Sequence, residues 1–355
     1  YKDSAASLQE IAEKLRVDHV LEGSVRKSGD RVRVTAQLIN ASTDRHLWSE
    51  TFDRDLSDIF SIQDEIAKAI VAALRDTLGI EAVAGSVAVA ASTDNLDAYD
   101  LYLKGRSLFL NRIDLEEGIR LLEKAVAIDP EFARAWESLA AGYFVAPDWD
   151  DKLQRTRGSE FVALSERSAR KALELDDTLS LAWAVLGLRE AVINHDYSLG
   201  MQYLDKAIKA DPKNATAWLW RGILLADLGF LERALIDTER CLEIDPAYQN
   251  CSRHLSHRNF LLGHNEAAIE NFRARYKTGQ MWPSVEHIPL VARHGTRLEA
   301  LYAAELVTSD DAFPHEAWIA ALKHPDDDLT VEREALSAYL DNNVVYRDLL
   351  VQTSM

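Results

Sequence analysis

The sequence predicts a mainly α-helical protein in which a small α/β domain precedes an array of repeated helix pairs. The first observation behind this prediction is the stretch 20–40, which alternates apolar and polar residues on both sides of a Ser-Gly-Asp turn, as β-hairpins do. The second is the region from residue 97 onward, where apolar residues recur at helical spacing and a Trp-containing pattern returns with a repeat length of about 34 residues.

Composition limits the class of protein before any motif is considered. The chain has 355 residues and a net charge of −18, and an acidic chain repels phosphate backbones, so we expect no nucleic-acid partner for this region. No apolar run approaches the roughly 20 residues that a membrane span needs. Two cysteines are too few for a disulfide framework, and we expect Cys241 and Cys251 to be separate thiols. Because the first residue is Tyr1, we expect a piece of a longer chain.

The amino-terminal domain is predicted to begin with a helix and to continue as a hairpin. Ser4 to Leu15 places its apolar residues on one helical stripe, with Ser7 or Ser4 as the cap. In the hairpin, Gly29 supplies the positive φ that a tight turn requires. Alternate residues of the second hairpin strand would face a core: Val32, Val34, Ala36 and Leu38.

A third strand and a second helix complete this domain in the order α-β-β-β-α. His46 to Phe52 predicts the strand, and Asp58 to Leu78 predicts the helix. The sequence LEGSVRKSGDRVRVTAQLINASTDRHLWSETFDRDLSDIFSIQDEIAKAI resembles the TolB-like (FlgO-like) domain of many bacterial regulators. In that family a strand and a helix precede the position of Tyr1, so the resemblance implies a truncated sheet with an unpaired edge.

The hairpin also carries a local concentration of basic residues, of which Arg26, Arg31 and Arg33 are the candidates for a contact with another domain. One interpretation is a docking face for an acidic partner. The alternative is a solvated outer face that keeps an edge strand soluble, since charged edges protect sheets from association.

The repeated pattern of the second region has a mechanical explanation. Trp136, Trp183 and Trp218 hold the fourth place of the repeat, and a small residue follows four places later in each copy. Each copy follows a helix that ends in a shared phrase: KAVAIDPEF, KALELDDTL or KAIKADPKN. Small residues permit the close approach of two antiparallel helices. The proline within the phrase, which Asp177 replaces in one copy, stops one helix and starts the next copy.

These copies resemble tetratricopeptide repeats (TPR), which implies a right-handed α-solenoid of helix pairs. Residues 1–82 are then the truncated TolB-like α/β domain, and residues 83–96 are a linker. Residues 97–281 hold five TPR-like repeats at about 98–132, 133–179, 180–214, 215–248 and 249–281. The second repeat carries an insertion, Ala146 to Ser159, which we expect to form a surface loop between its helices. Residues 282–355 are degenerate helical repeats or a cap.

The sequence shows no pattern that indicates catalysis, so we expect no enzyme activity, no cofactor and no metal in this region. It contains no phosphate-binding loop, dinucleotide-binding glycine motif, nucleophile elbow or CxxC pair. The nearest approach to a metal site is Cys251, His254 and His257, but their i, i+3, i+6 spacing drifts around a helix, so we do not assign a metal to them.

The resemblance to TPR arrays implies a concave groove that takes an extended peptide or a helix. By the register of the repeat, the first helix of each pair lines this groove, and the candidate residues are Tyr99, Tyr102, Arg106, Phe109, Arg134, Glu137, Phe144, Trp220, Arg253, His254 and His257. Arginine, histidine and aromatic side chains would suit a carboxylate-bearing or aromatic segment. The alternative is a groove filled by the carboxyl-terminal helices of the same chain.

The combination of both resemblances implies a non-catalytic regulatory and protein-interaction region of a bacterial signalling protein. In such proteins the output domain, which is adenylate or guanylate cyclase-like or winged-helix, lies upstream in the same chain. We expect a cytoplasmic protein with a protein or peptide partner in the groove, and a homodimer is possible. The alternative is a periplasmic envelope scaffold, which a signal peptide or membrane span before Tyr1 would indicate.

Overall fold

The computed structural model describes residues 7–15, 17–29, 31–55, 59–78, 93–149, 151–277, 288–306, 315–324 and 328–342. Its contacts divide the chain into two compact units, Tyr1–Val185 and Leu186–Met355. The described part is mainly helical, with consecutive helix pairs of the TPR type after one small antiparallel sheet. None of the described helices is both long enough and apolar enough to span a membrane.

The first compact unit begins with the predicted α-β-β-β-α order. Its elements are α1 (Leu8–Leu15), β1 (His19–Ser28), β2 (Arg31–Asn40), β3 (Arg45–Asp55) and α2 (Ile59–Leu78). The strands form an antiparallel sheet in the order β1-β2-β3, so the hairpin prediction is confirmed. Ser7 and Glu10 form a capping box at the start of α1, in which each side chain accepts the backbone N–H of the other residue.

The β2–β3 part of the sheet is buried on one face and polar on the other. Val32 and Phe52 are the buried centre of a small core, against which Ile66 and Ala69 of α2 pack. On the opposite face Thr35 and Thr51 approach across the strands at 3.2 Å between their hydroxyl oxygens. A turn with Gly29 at φ 59° joins β1 to β2, which is the backbone geometry that the sequence predicts there.

Five helix pairs follow at the predicted positions in the described part of the chain. They are α3 (Leu96–Asn111) with α4 (Leu115–Ile128), α5 (Ala133–Trp149) with α6 (Asp151–Leu175), α7 (Ser180–Ile193) with α8 (Tyr197–Ala210), α9 (Ala215–Asp227) with α10 (Leu231–Ile244), and α11 (Gln249–Leu261) with α12 (Asn265–Lys277). The earlier helix of each pair is called helix A and the later one helix B. The boundaries 1–82, 83–96, 97–281 and 282–355 stay predictions.

The shared phrase at the end of each helix B forms the same turn in four copies. Its aspartate side chain accepts the backbone N–H of the residue two places later, which is an Asx turn that holds the chain between helices. The four aspartates are Asp129, Asp176, Asp211 and Asp245. The aspartate supplies the hydrogen bond of this turn in all four copies, whereas a proline follows it in only three of them.

The insertion in the second repeat is helical, which corrects the prediction of a loop at 146–159. Helix α5 runs to Trp149 with Pro147 inside it, and α6 begins at Asp151. The insertion forms helix because its apolar residue Leu153, which is 1% exposed, packs in one core with Tyr143 and Phe161 on either side of the insertion. The amphipathic insertion therefore lengthens α5 and α6 and does not form a loop between them.

The second compact unit ends in four shorter helices within its described part: α13 (Ile288–His294), α14 (Arg297–Leu306), α15 (His315–Lys323) and α16 (Thr330–Asn342). These helices lie in the region 282–355, for which the sequence predicts degenerate helical repeats or a cap. Leu290 and Val291 of α13 pack in one core with Phe260 and Phe272 of the fifth pair. The carboxyl-terminal helices thus cover the apolar end of the fifth repeat.

Candidate partner-binding site

Small residues at the crossing of helices A and B fix where helix A presents its side chains. A Cβ atom built on Gly105 would lie 2.8 Å from the carbonyl oxygen of Gly118, and one on Gly187 would lie 2.9 Å from that of Gly200. In the fifth pair, Ser256 replaces the glycine and its hydroxyl donates to the carbonyl of Ala268 at 2.9 Å. Close backbone approach therefore holds helix A in a fixed rotation against helix B.

The repeated tryptophans form a hydrogen bond that the sequence pattern did not predict. The indole N–H of Trp136 donates to the carbonyl of Pro130 at 2.8 Å, and that of Trp218 donates to Pro212 at 3.0 Å. Trp183 makes the same bond to Asp177 at 2.9 Å. Each tryptophan thus ties the start of its helix A to the turn that ends the preceding helix B.

The structure brings five of the predicted groove residues together in the first compact unit. This aromatic–acid cluster consists of Tyr99, Tyr102, Arg106, Arg134 and Glu137. The rings of Tyr99 and Tyr102 lie 6.1 Å apart, and Tyr102 also packs against Phe132 at 4.9 Å. Burial raises the pKa of Tyr102, while the positive charges of Arg106 and Arg134 act in the opposite direction.

Glu137 is the electrostatic centre of the aromatic–acid cluster. Its carboxylate accepts the backbone N–H of Leu181 at 2.8 Å and of Ala182 at 3.2 Å, at the start of α7. Burial raises the pKa of Glu137 to about 7, although these two donors and both arginines favour the charged form. A carboxylate at a helix amino terminus also interacts favourably with the helix dipole.

The remaining groove candidates of this compact unit differ in exposure. Phe109 is 2% exposed, so its side chain lies in the interior of the first helix pair, whereas Phe144 is half-buried. Arg106 and Arg134 are exposed, so they are the side chains of this cluster that solvent reaches most easily.

The second compact unit holds a basic cluster, made of Arg253, His254, His257 and Arg258 on α11 with Arg275 on α12. A guanidinium nitrogen of Arg253 lies 3.2 Å from Nε2 of His254, and one of Arg258 lies 3.2 Å from Nδ1 of His257. Because a guanidinium can only donate, each imidazole nitrogen is the acceptor. Trp220, the fourth groove candidate of this unit, is 3% exposed, which places its side chain in the interior.

Sequence reasoning missed Arg258 and Arg275, which are 4% and 5% exposed. Burial lowers the pKa of Arg275 to about 10, and the nearby positive charge of Arg253 acts in the same direction. The signal was present in the repeat register. Where Arg275 stands in the fifth repeat, the other four carry a small residue that is fully buried: Ala125, Ala172, Ala207 and Cys241.

The two cysteines form a disulfide, which corrects the prediction of separate thiols. Cys241 near the end of α10 is bonded to Cys251 at the start of α11, with Cα atoms 6.2 Å apart. The register explains the pairing, because a small buried position of helix B in one repeat lies against the first turn of the next helix A. Within the described residues, no group of three or more His, Cys, Asp or Glu side chains could hold a metal ion.

The basic residues of the hairpin are divided between an ion-pair network and solvent. Arg31 donates to Asp53 on β3 at 3.1 Å, and Arg33 donates to the same carboxylate at 3.0 Å. These bonds hold the pKa of Asp53 below its ordinary value, chiefly through Arg33. Arg26 is exposed on the edge strand. Whether any of the three contacts another domain stays a prediction.

Comparison with known proteins gives partial similarity and no family assignment. No family model matches the chain. A putative adenylate cyclase 3 of Rhizobium meliloti (strain 1021) is 39% identical over 144 residues, which are 39% of this chain and 24% of that protein. A UDP-N-acetylglucosamine–peptide N-acetylglucosaminyltransferase of Giardia intestinalis is 34% identical over 68 residues, covering 19% and 5% of the two chains. The chain thus matches less than a quarter of the length of these relatives.

Several solved structures are distantly similar. PilW, a type IV pilus biogenesis factor, matches 66% of this chain and 97% of its own at 17% identity and a TM-score of 0.43. TTC0263, a TPR protein of Thermus thermophilus, matches 58% and 99% at 15% identity and a TM-score of 0.42. MamA matches 47% and 90% at 18% identity and a TM-score of 0.33. These similarities are too distant for any function to be transferred to this chain.

Proposed function

We propose that this chain is a non-catalytic regulatory region whose repeats bind a protein or peptide partner and thereby control an output domain in the same polypeptide. The observation that carries the proposal is a pair of charged clusters in a TPR-type array, the first of which also contains tyrosine rings. Side chains of helix A, held in register by the helix crossings, are the ones that such arrays offer to a ligand. The aromatic–acid cluster supplies exposed arginines beside tyrosine rings, and the basic cluster supplies the half-buried Arg253 next to the buried Arg258 and Arg275.

The sequence similarity to a putative adenylate cyclase supports an output domain of the cyclase type. The proposal retains a winged-helix output domain as the other candidate, since the sequence resemblance implied both. Control would work by population shift, in which the partner binds one arrangement of the repeats more tightly than another. A ligand shifts such an equilibrium only by its difference in affinity for the two states.

A capture experiment with matched variants tests the binding part. The tagged 355-residue chain is incubated with a bacterial lysate, and captured proteins are compared between wild type, Arg134→Ala and Arg253→Ala. Arg240→Ala is the control, because Arg240 is exposed on α10 and its ion pair to Glu243 lies outside both clusters. We expect a partner that the control retains and the cluster variants lose. Trp220→Ala is a poor probe, since its side chain is only 3% exposed and its removal would leave a cavity.

The regulatory part needs a separate readout. The chain is fused behind an adenylate cyclase domain, and the rate of cyclic nucleotide formation is measured with and without the captured partner. A change in rate that Arg134→Ala or Arg253→Ala abolishes would support control of the output domain. Undiminished capture by both variants, or a cyclase rate that the bound partner leaves unchanged, would overturn the corresponding part of the proposal.

A further inference from the structure

The amino end of α11 differs from the corresponding ends in the two repeats before it. At the start of α7 the carboxylate of Glu137 accepts two backbone N–H groups, and at the start of α9 the side-chain oxygen of Asn214 does the same. Within the described residues, Tyr248 at the cap of α11 forms no such bond through its side chain. The residue that corresponds to Glu137 in the preceding helix A is the buried Leu219. Because a helix amino terminus attracts negative charge, the start of α11 is a favourable place for an anion.

Basic side chains lie around this end of the fifth helix pair. Positions 250, 253, 254 and 257 have the spacing i, i+3, i+4 and i+7, which places Asn250, Arg253, His254 and His257 on one face of α11. Helices α11 and α12 pack antiparallel, so the last turn of α12, with Arg275, lies beside the first turn of α11. The positive charge of Arg253 adds to burial in lowering the pKa of Arg275 to about 10. The two guanidinium groups are therefore close together, and both are charged at neutral pH.

Asn250 adds a buried hydrogen-bond acceptor to the same face of α11. It is 6% exposed, and its Oδ1 atom accepts no hydrogen bond from the residues that the structure describes. A buried polar atom of this kind costs free energy unless a donor reaches it. An anion that also carries an O–H group would supply this donor while its negative charge balances the arginines.

We propose that the first turn of α11, together with Arg253 and Arg275, binds a phosphate group that carries a proton, as inorganic phosphate does at neutral pH. Guanidinium groups donate to phosphate oxygens with matching geometry, and the backbone N–H groups at the helix start donate to the same anion. The P–O–H group donates to Oδ1 of Asn250. Arg253 is half-buried, so the site is reached from solvent on its side. The ligand is a small anion, and its binding does not require the protein partner of the proposed function.

Charge and hydrogen bonding favour phosphate over other common anions. A carboxylate has a single charge and two oxygens, whereas a phosphate group carries about −1.5 to −2 charges and has more acceptor oxygens for two guanidinium groups. Carboxylate and sulfate also lack the O–H group that Asn250 needs. The net charge of −18 opposes binding only weakly, because charges beyond about 8 Å are largely screened at physiological ionic strength.

Calorimetric titration of the purified 355-residue chain with inorganic phosphate tests the site. The titration is made at neutral pH, with the ionic strength held constant by chloride. We expect saturable binding at one site, and binding of sulfate and of acetate that is weaker by about tenfold or more. The absence of saturable binding at millimolar phosphate would overturn the proposal. Sulfate that binds as tightly as phosphate would overturn the requirement for a protonated ligand at Asn250.

Two variants place the ligand at the basic cluster. Arg275→Ala and Arg253→Gln should each weaken phosphate binding by about tenfold or more. Arg275→Ala should still fold, since alanine or cysteine holds that place in the other four repeats, and Arg253→Gln changes only a half-buried side chain. Arg240→Gln is the matched control, because Arg240 is exposed on α10 and pairs with Glu243.

Thermal unfolding supplies a second readout for the same proteins. Phosphate should raise the denaturation midpoint of the wild type and of the control, and much less that of the two cluster variants, because a ligand stabilises the state that binds it. Circular dichroism shows whether each variant is folded. Folded cluster variants that bind phosphate as the wild type does would refute the site. These measurements use the purified chain alone, so their failure is separate from a failure to capture a protein partner.

Discussion

At the scale of single residues, Glu137 is a carboxylate whose pKa is shifted by its environment within the repeats. Its carboxylate caps α7 through two backbone N–H groups, yet burial raises its pKa from 4.5 to about 7. Between these values the folded chain binds more protons than the unfolded chain. The stability contribution of Glu137 therefore falls as pH rises through this window, and above pH 7 the whole cost of the buried charge is present.

We expect Glu137→Gln to remove this pH dependence. Glutamine keeps an oxygen acceptor for the N–H groups of Leu181 and Ala182 but carries no charge. The free energy of unfolding of the wild type should fall by up to about 3 kcal/mol more than that of the variant between pH 5 and pH 8. Urea denaturation at several pH values measures this. Glu131→Gln, at an exposed glutamate, is the control, and parallel curves for wild type and Glu137→Gln would refute the assignment.

The tryptophans make a related point about single residues. Trp136, Trp183 and Trp218 are each half-buried, and the indole N–H of each donates to a main-chain carbonyl six residues earlier. The spacing of the repeat could predict that a large residue stands there. Only the turn geometry shows why its N–H matters, since a carbonyl at the end of the preceding repeat lies within reach.

At the scale of the element, the close crossing of α7 and α8 requires that residue 200 has no Cβ atom. A Cβ on Gly200 of α8 would lie 2.7 Å from the carbonyl oxygen of Gly187 and 3.1 Å from the Cβ of Ala191. Neither contact can relax through a flexible side chain, because the nearest one is with the backbone of α7. The pair can accept a side chain only by separating its helices.

Gly200→Ala should therefore destabilise the chain by about 2 kcal/mol or more, although alanine favours helix. Gly158→Ala is the matched control within α6. Its added Cβ would meet only the flexible side chain of Gln154, at 3.1 Å, so we expect a neutral effect or a gain of up to about 1 kcal/mol. Chemical denaturation of both variants decides the point, and equal effects would show that the crossing tolerates a methyl group.

The disulfide joins helix B of one repeat to helix A of the next, and it closes a loop of sequence separation 10. A loop of that length should contribute about 2–3 kcal/mol through the entropy of the unfolded chain. We expect a reductant to lower the denaturation midpoint of the wild type. The double variant Cys241→Ala with Cys251→Ala should be insensitive to it. Two thiols labelled in the unfolded, unreduced protein would contradict the bond.

Sequence patterns predicted the strands and helices well where a single periodicity of apolar residues dominated a segment. The alternation in 20–40 and the Trp register gave the strands and helix pairs, because both report burial of one face. They failed where tertiary contacts decided the outcome. The insertion at 146–159 is helical because Leu153 packs in a core, and the cysteine pairing depends on the distance between two repeats. For the site, the repeat register located helix A and marked Arg275 as a large residue at a small buried position, but it could not foresee that Trp220 is buried.

At the scale of the whole molecule, the array must end somewhere without exposing its last apolar face. In the second compact unit, Leu290 and Val291 of α13 meet Phe260 and Phe272, and Ala300 of α14 completes the contact. Arg273 of α12 also pairs with Glu299 of α14 at 2.8 Å, which lowers the pKa of Glu299 to about 2. The carboxyl-terminal helices therefore act as a cap, and a cap is what keeps a repeat array soluble.

Val291→Asp tests the cap. Val291 is 1% exposed, so the variant would bury a carboxylate among apolar side chains and should cost about 3 kcal/mol or more. We expect earlier unfolding of the second compact unit and stronger binding of a dye that reports exposed apolar surface. Val331→Asp is the control, because Val331 of α16 is 73% exposed and its change should cost less than about 0.5 kcal/mol. If both variants unfold at the same denaturant concentration, the fifth repeat does not depend on α13 for cover, and the array must be stable with an open end.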